Sequence, residues 1–393
     1  MTDTQSLPPP IWIDRPAGFR AMIAHIRDEP ALAVDTESNS LYVYEEQVCL
    51  IQITVPGTDY LVDPLALDDI SALGPLLADP ETLKVLHGAE YDVSVLHRDF
   101  GFAFENLFDT MWASRILGWS AHGLAALLKE HFGVKLNKKY QRANWGVRPL
   151  PPPQLDYARL DTHYLLPLHE VQSRQLDEQD RWPQARHRFS RLVNVRWDVK
   201  GFSADDFWRL SGARELDDVG RGVLRELFIL RDQWARAENR PVFRVISNKA
   251  LVSIAGRRPR SRRELQQIKG VSPRMAKRYG RGLLKAIARG EDQPLSWRHR
   301  PRPSNGSSSG HNGRLSPEAQ ARFDALRLWR NAAAEARGVA PDIILTNQIL
   351  WEVAHQNPRS REDLSRDGVL AKWQREEFGD DLLAVLRKVR ASA

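Results

Sequence analysis

Part of this chain is written twice. Pro259-Arg260-Ser261-Arg262-Arg263-Glu264-Leu265 recurs as Pro358-Arg359-Ser360-Arg361-Glu362-Asp363-Leu364, and the same offset places Asn248 on Asn347, Leu251 on Leu350, Arg231 on Arg330 and Ala237 on Ala336. Several matches at one shared offset argue for duplication of a whole domain, not of a short motif. Both copies lie beyond about Arg181, where β-favouring runs stop and an Arg- and Trp-rich helical pattern takes over. Each copy is therefore expected to be a small all-α bundle, over residues 211–292 and 315–393. The intervening residues 293–314 include Ser304-Asn305-Gly306-Ser307-Ser308-Ser309-Gly310, too polar and too rich in Gly and Ser to bury a core, and read as a flexible linker.

Upstream the pattern is different. Ala31–Val34, Val48–Val55, Tyr60–Val62 and Leu83–Leu86 read as strands, and Asp68–Leu77, Glu90–Arg98, Met111–Leu117, Leu124–Phe132 and Gln154–Glu170 as helices. Residues 1–195 are thus expected to be an α/β domain with a sheet flanked by helices. Asp109-Thr110 has the form of a helix start, so Asp109 reads first as a cap and second as a site residue.

The 393 residues carry a net charge of +7 and a pI near 9.5, a balance that favours polyanionic partners. The one cysteine, Cys49, lies in an apolar run and reads as a small buried hydrophobe; it excludes zinc held by a cysteine cluster. Asp3 and Pro8-Pro9-Pro10 stand where a signal peptide needs a basic start and an apolar stretch, and no segment is apolar enough to span a membrane. The expectation is a cytoplasmic protein without membrane attachment.

Three places gather acids that could do chemistry. In Val34-Asp35-Thr36-Glu37, residues i and i+2 of a strand project to one face, so Asp35 and Glu37 would stand together and repel unless a cation lies between them. In His87-Gly88-Ala89-Glu90-Tyr91-Asp92, Gly88 permits a sharp turn that puts Asp92 near the first turn of a helix. Complementing the helix dipole would explain an acid there equally well. Glu90 is the other acid of this motif, and His87 reads as structural. In Tyr157-Ala158-Arg159-Leu160-Asp161, the i, i+4 spacing puts Tyr157 and Asp161 on one helical face.

Taken in order along the chain, these acids resemble the DEDD exonuclease superfamily, with its ribonuclease H-like fold. Tyr157, four residues before Asp161, matches the tyrosine branch; the histidine branch would place His where this chain has Asp156, and His163 lies on the wrong side. Within that branch the chain resembles ribonuclease D. Asp35–Thr54 looks like the family's first block and Gly123–Leu165 like its third region, with Gln141-Arg142-Ala143-Asn144-Trp145 and Arg148-Pro149-Leu150. Members commonly have Ser-Asp-Trp where this chain has Ala143-Asn144-Trp145, which affects any substrate contact from that loop and not the acids. The helical copies resemble the helicase-and-RNase-D C-terminal (HRDC) domain.

The resemblance implies two divalent cations, Mg²⁺ or Mn²⁺, held by Asp35, Glu37, Asp92 and Asp161, with Tyr157 orienting the attacking water. Hard oxygen donors suit those ions, and a pair of them could activate water and stabilise the leaving 3′ oxygen. It also implies 3′→5′ removal of nucleotides from RNA with a single-stranded 3′ end, with tRNA precursors as the family precedent; the two appended helical copies suggest that a monomer suffices. Gly256–Arg281 offers Arg257, Arg258, Arg260, Arg262, Arg263, Lys269, Arg274, Lys277 and Arg278 as phosphate contacts, although such a run can also be a solvated face. The second copy is much less basic and is expected mainly to pack or to enclose substrate. Two readings stay open beside this one: a DNA-directed exonuclease of the same superfamily, and a non-catalytic nucleic-acid-binding protein.

Overall fold

A computed structural model describes residues 7–197, 201–300 and 315–391. The strands β1 (Ile11–Ile13), β2 (Ala31–Ser38), β3 (Val48–Val55), β4 (Thr58–Val62), β5 (Leu83–Leu86) and β6 (Leu107–Asp109) form one sheet in the order β1-β4-β3-β2-β5-β6. β3 runs antiparallel to β4, with Ile51 opposite Val62, whereas the β1–β4, β2–β5 and β5–β6 pairs are parallel. The sheet is mixed, with helices flanking it as expected. β3 is buried along its whole length, which is why it reads as an unbroken apolar run without alternation.

Around the sheet lie α1 (Pro16–Ile26), α2 (Leu73–Leu77), α3 (Glu90–Phe100), α4 (Thr110–Ile116), α5 (Leu124–Phe132), α6 (Pro152–His163), α7 (Leu165–Glu178) and α8 (Trp182–Leu192). Two helices depart from the expectation. α2 begins at Leu73 and not at Asp68, because the Asp69 carboxylate accepts the Ser71 N–H at 2.7 Å and holds a turn there. The helix expected over Gln154–Glu170 is broken at Tyr164: Pro167 has no N–H to give to His163 and its ring crowds that carbonyl. Cys49 is buried as a thiol in no disulfide, in a cluster with Leu50, Leu61, Trp145, Leu150 and Ala158.

The duplicated sequence folds twice into the same arrangement. The first copy comprises α9 (Asp218–Ala237), α10 (Val242–Val245), α11 (Asn248–Arg257), α12 (Arg262–Gln266) and α13 (Pro273–Glu291); the second comprises α14 (Pro317–Arg337), α15 (Pro341–Ile344), α16 (Asn347–Gln356) and α17 (Lys372–Ala391). Arg231 donates to Asn248 at 2.6 Å and to the Ile246 carbonyl, and Arg330 does the same with Asn347 at 2.7 Å and Leu345. Each buried guanidinium thus ties the long first helix to the next one. In the first copy α9 and α13 meet backbone to backbone, since a Cβ on Gly290 would lie 2.3 Å from Val223 Cα.

The first copy reaches beyond the boundaries suggested by composition. Phe207 and Trp208 belong to its core, Leu295 and Trp297 pack on it, and Leu295 N–H bonds to Asp218 O at 2.8 Å. Residues 293–300 are therefore not linker; the Ser/Gly-rich segment expected as the linker, 301–313, lies outside the described residues. Trp234 and Trp329 pack against the two cores, and Trp351 stacks on His355.

Contacts divide the chain into two compact units. One joins the α/β domain to the second copy: Arg115 pairs with Asp342 at 2.6 Å, Arg181 donates to Arg337 O, and Gln184 donates to Glu377. The other joins the first copy to Ser38–Gln47, where the Tyr44 hydroxyl donates to Asp232 at 2.6 Å and Arg236 covers the Tyr44 ring. Among the described residues no helix is long and apolar enough to cross a membrane.

Candidate active site

β2 carries Asp35 and Glu37 at its end, alternating with Thr36. Thr36 is buried, and its hydroxyl donates to Asp92 Oδ1 at 2.5 Å, so the strand reaches the first turn of α3 through the residue between its two acids. Gly88, at φ +76°, makes the turn from β5 into α3. Of the two acids there, Asp92 is buried, whereas Glu90 is exposed and paired with Arg188. His87 meets Thr110 Oγ1 at 2.9 Å, and burial depresses it to about 4, a neutral imidazole engaged with the fold.

Tyr157 and Asp161 stand one turn apart on α6 and hydrogen-bond to each other. α6 is held by the buried Trp145, whose ring lies 6.1 Å from Tyr157, and by Thr162, which meets Thr54 at 2.8 Å. The adjacent His163 bonds to Asp59 at 2.8 Å, and Asp59 also accepts from Thr54. The Arg148-Pro149-Leu150 segment serves this support. Arg148 donates to both oxygens of Asp63 and to the carbonyls of Trp145, Val147 and Cys49.

The acids from these three elements act on one another. Burial raises Asp35 well above the carboxylate range, and the charges of Asp92, Asp161 and Glu37 raise it further. Burial and the charges of Asp161 and Asp92 raise Glu37 in the same way. Burial, with Asp92 beside it, lifts Asp161 to about 8 against the opposing Tyr157 hydrogen bond; burial lifts Asp92 to about 7 against the Thr36 bond. Burial and the neighbouring acids raise Tyr157 as well, so its hydroxyl keeps its proton. Such a cluster is costly without a cation and comfortable with one. Among the described residues no three His, Cys, Asp or Glu side chains are gathered closely enough, as they stand, to hold a metal ion. The donor set itself, carboxylate oxygens with no sulfur, suits a hard divalent ion.

The cations of the first copy divide into two groups. Arg258 takes a left-handed backbone at the end of α11 and pairs with Asp217 at 2.8 Å, and Arg278 pairs with Glu238 at 2.8 Å; both are engaged within the fold. Arg262 lies along Gly280. Arg257, Arg260, Arg263, Lys269, Arg274 and Lys277 are exposed. Thr36 is the site residue that sequence reasoning missed; its signal was a hydroxyl inside Asp-x-Glu.

Residues 10–177 match the 3′-5′ exonuclease family, and residues 220–287 and 319–386 each match the HRDC domain. Ribonuclease D of Gluconacetobacter diazotrophicus is 28% identical over 98% of this chain and 94% of its own length. The chain carries a 3′-5′ exonuclease domain and two HRDC domains. Its likeness extends to Escherichia coli RNase D, whose structure superposes with a TM-score of 0.67 at 24% identity over 97% of this chain and 99% of that one; the two share a fold. Protein RRP6-like 1 of Arabidopsis thaliana is 36% identical over 61% of this chain, and this chain spans only 39% of that relative's length.

Proposed function

We propose that this protein is a metal-dependent 3′→5′ exoribonuclease that removes nucleotides from single-stranded RNA 3′ ends, releasing 5′-monophosphates. The observation that carries the reading is that Asp35, Glu37, Asp92 and Asp161, from three separate elements, lie near enough to one another and to Tyr157 for their charges to act on each other, with Asp92 buried and the others half-buried. Asp35, Glu37 and Asp161 would hold one divalent ion and Asp35 with Asp92 a second, Mg²⁺ or Mn²⁺. When bound, the ions supply a nucleophilic water and stabilise charge on the leaving 3′ oxygen. Tyr157, kept protonated and aligned by Asp161, orients the attacking group and does not act as a base at neutral pH. Asp92 is buried and the other three acids are half-buried, so their charges count for more than on an open surface.

Exposed Arg257, Arg260, Arg263, Lys269, Arg274 and Lys277 hold the RNA by its phosphates, without reading sequence. The resemblance to ribonuclease D favours RNA over DNA. It also favours tRNA precursors as substrates and a cytoplasmic monomer as the working form. The test is a 5′-labelled RNA with a single-stranded 3′ tail, incubated with Mg²⁺, Mn²⁺ or EDTA beside DNA of the same sequence. A metal-dependent ladder shortening from the 3′ end, stronger on RNA, is the expected result. Preference for DNA would establish the sister activity, and tight binding without cleavage would leave a binding protein.

A further inference from the structure

α3, which carries Asp92, has no cap of its own. Its leading residue is Ala89, whose side chain offers no acceptor to the first N–H groups of the helix. The turn that leads into it is instead held by an acceptor from a different strand. Asp109 ends β6, directly opposite Leu86 of the parallel strand β5, and is wholly buried. Its Oδ2 accepts the Ala89 N–H at 2.7 Å and its Oδ1 the Gly88 N–H at 3.1 Å. The same Oδ1 accepts Met111 N–H at 2.9 Å and Trp112 N–H at 3.1 Å, capping α4. One carboxylate thus fixes two helix starts, and through the left-handed turn at Gly88 it determines where the first turn of α3 lies. Thr110, the next residue, secures the same junction from its other side by donating to Leu86 O at 3.0 Å.

We propose that Asp109 is a positioning residue that sets the location of Asp92, and thereby the metal position that Asp92 serves, while leaving the position held by Asp35, Glu37 and Asp161 alone. The proposal rests on the two-metal reading above. Neutral acceptors could cap α4, but a single neutral side chain cannot accept four N–H groups. Asparagine in particular would turn an N–H₂ toward the N–H of Ala89 or toward those of α4. The four donors therefore require a carboxylate.

The test is Mn²⁺ binding to the full chain, followed by the electron paramagnetic resonance of free Mn²⁺, with circular dichroism and thermal melting in parallel. Wild type is expected to take up two ions. Asp109→Asn should keep one site at wild-type affinity and weaken the other by at least about tenfold, the scale of an outer-shell loss. Cleavage should fall in step and recover as Mn²⁺ is raised. Gly88→Ala, which strains the same turn while leaving Asp109 in place, should weaken the same single site, and it decides the matter if Asp109→Asn melts early. Two wild-type sites in Asp109→Asn, or equal weakening of both, would overturn the assignment while the metal reading stands. A wild-type chain that takes up no Mn²⁺ would overturn both.

Discussion

The Thr36 hydroxyl donates to the Asp92 carboxylate across 2.5 Å, joining the middle of Asp35-Thr36-Glu37 to the first turn of α3. Strand alternation alone would send Thr36 away from its two acidic neighbours, yet this bond links it to the fourth acid of the cluster. Thr36→Val keeps the shape and removes the donor. It should cost about 1–3 kcal/mol of stability by leaving Asp92 less satisfied, and slow metal-dependent cleavage roughly tenfold. Melting and single-turnover assays on the same preparation measure the two effects.

Replacing one acid should have opposite consequences for stability and for activity. Asp35→Asn or Asp161→Asn is expected to abolish cleavage while RNA affinity, measured by filter binding, stays within about twofold. Each should also raise the melting temperature of the metal-free protein, because each relieves repulsion among buried carboxylates. Wild-type rates in Asp161→Asn would refute the ligand assignment. Tyr157→Phe removes the hydroxyl and leaves the ring against Trp145, so the expected loss is milder and unaccompanied by unfolding.

The metal-free protein should lose stability as pH rises. A carboxylate whose folded pKa lies above its unfolded value binds protons more readily when folded. Its contribution is complete below the unfolded pKa and is lost as pH climbs through the folded one. With unfolded values near 4 and folded values of about 7 for Asp92 and about 8 for Asp161, the decline should span roughly pH 4 to 8. Added Mg²⁺ or Mn²⁺ should flatten it, so the ion-induced rise in melting temperature should be larger at pH 8 than at pH 5. Scanning calorimetry over that range, with and without ion, gives the answer.

RNA affinity should follow the exposed cations of the first copy. Neutralising Arg257, Arg260, Arg263 and Lys269 together should lower affinity and reduce the slope of log affinity against log salt by up to about 2–3. Neutralising Lys372 and Arg375 in the second copy should change little. Substitution is a cleaner comparison than deleting the second copy, which would strip Asp342 from Arg115 and Glu377 from Gln184.

Arg148→Lys is expected to be strongly destabilising despite keeping the charge. A lysine ammonium cannot reproduce the forked contacts to both Asp63 oxygens and three carbonyls, and Asp63 is almost wholly buried. Loss of about 3 kcal/mol is expected, read by urea denaturation.

Much of the site was legible because its elements are periodic. The i, i+2 spacing of Asp35 and Glu37 and the i, i+4 spacing of Tyr157 and Asp161 are properties of a strand and a helix that the chain declares locally. Asp109 likewise announced itself as a cap. What local pattern could not show was long-range pairing: Arg258 and Arg278 look like free cations until Asp217 and Glu238 arrive from 41 and 40 residues away. Thr36 was hidden in the same way, its partner lying on another element. β1 and β6 are three residues each, too short for alternation to register. The break at Tyr164 was written in Pro167, within a run otherwise favourable to one long helix.

The order of domains along the chain is not their grouping in space. The second copy shares a compact unit with the α/β domain, whereas the first copy, which lies between them in sequence, forms the other unit with Ser38–Gln47. The first copy is thus an insertion: the chain leaves one body to build it and returns to that body afterwards.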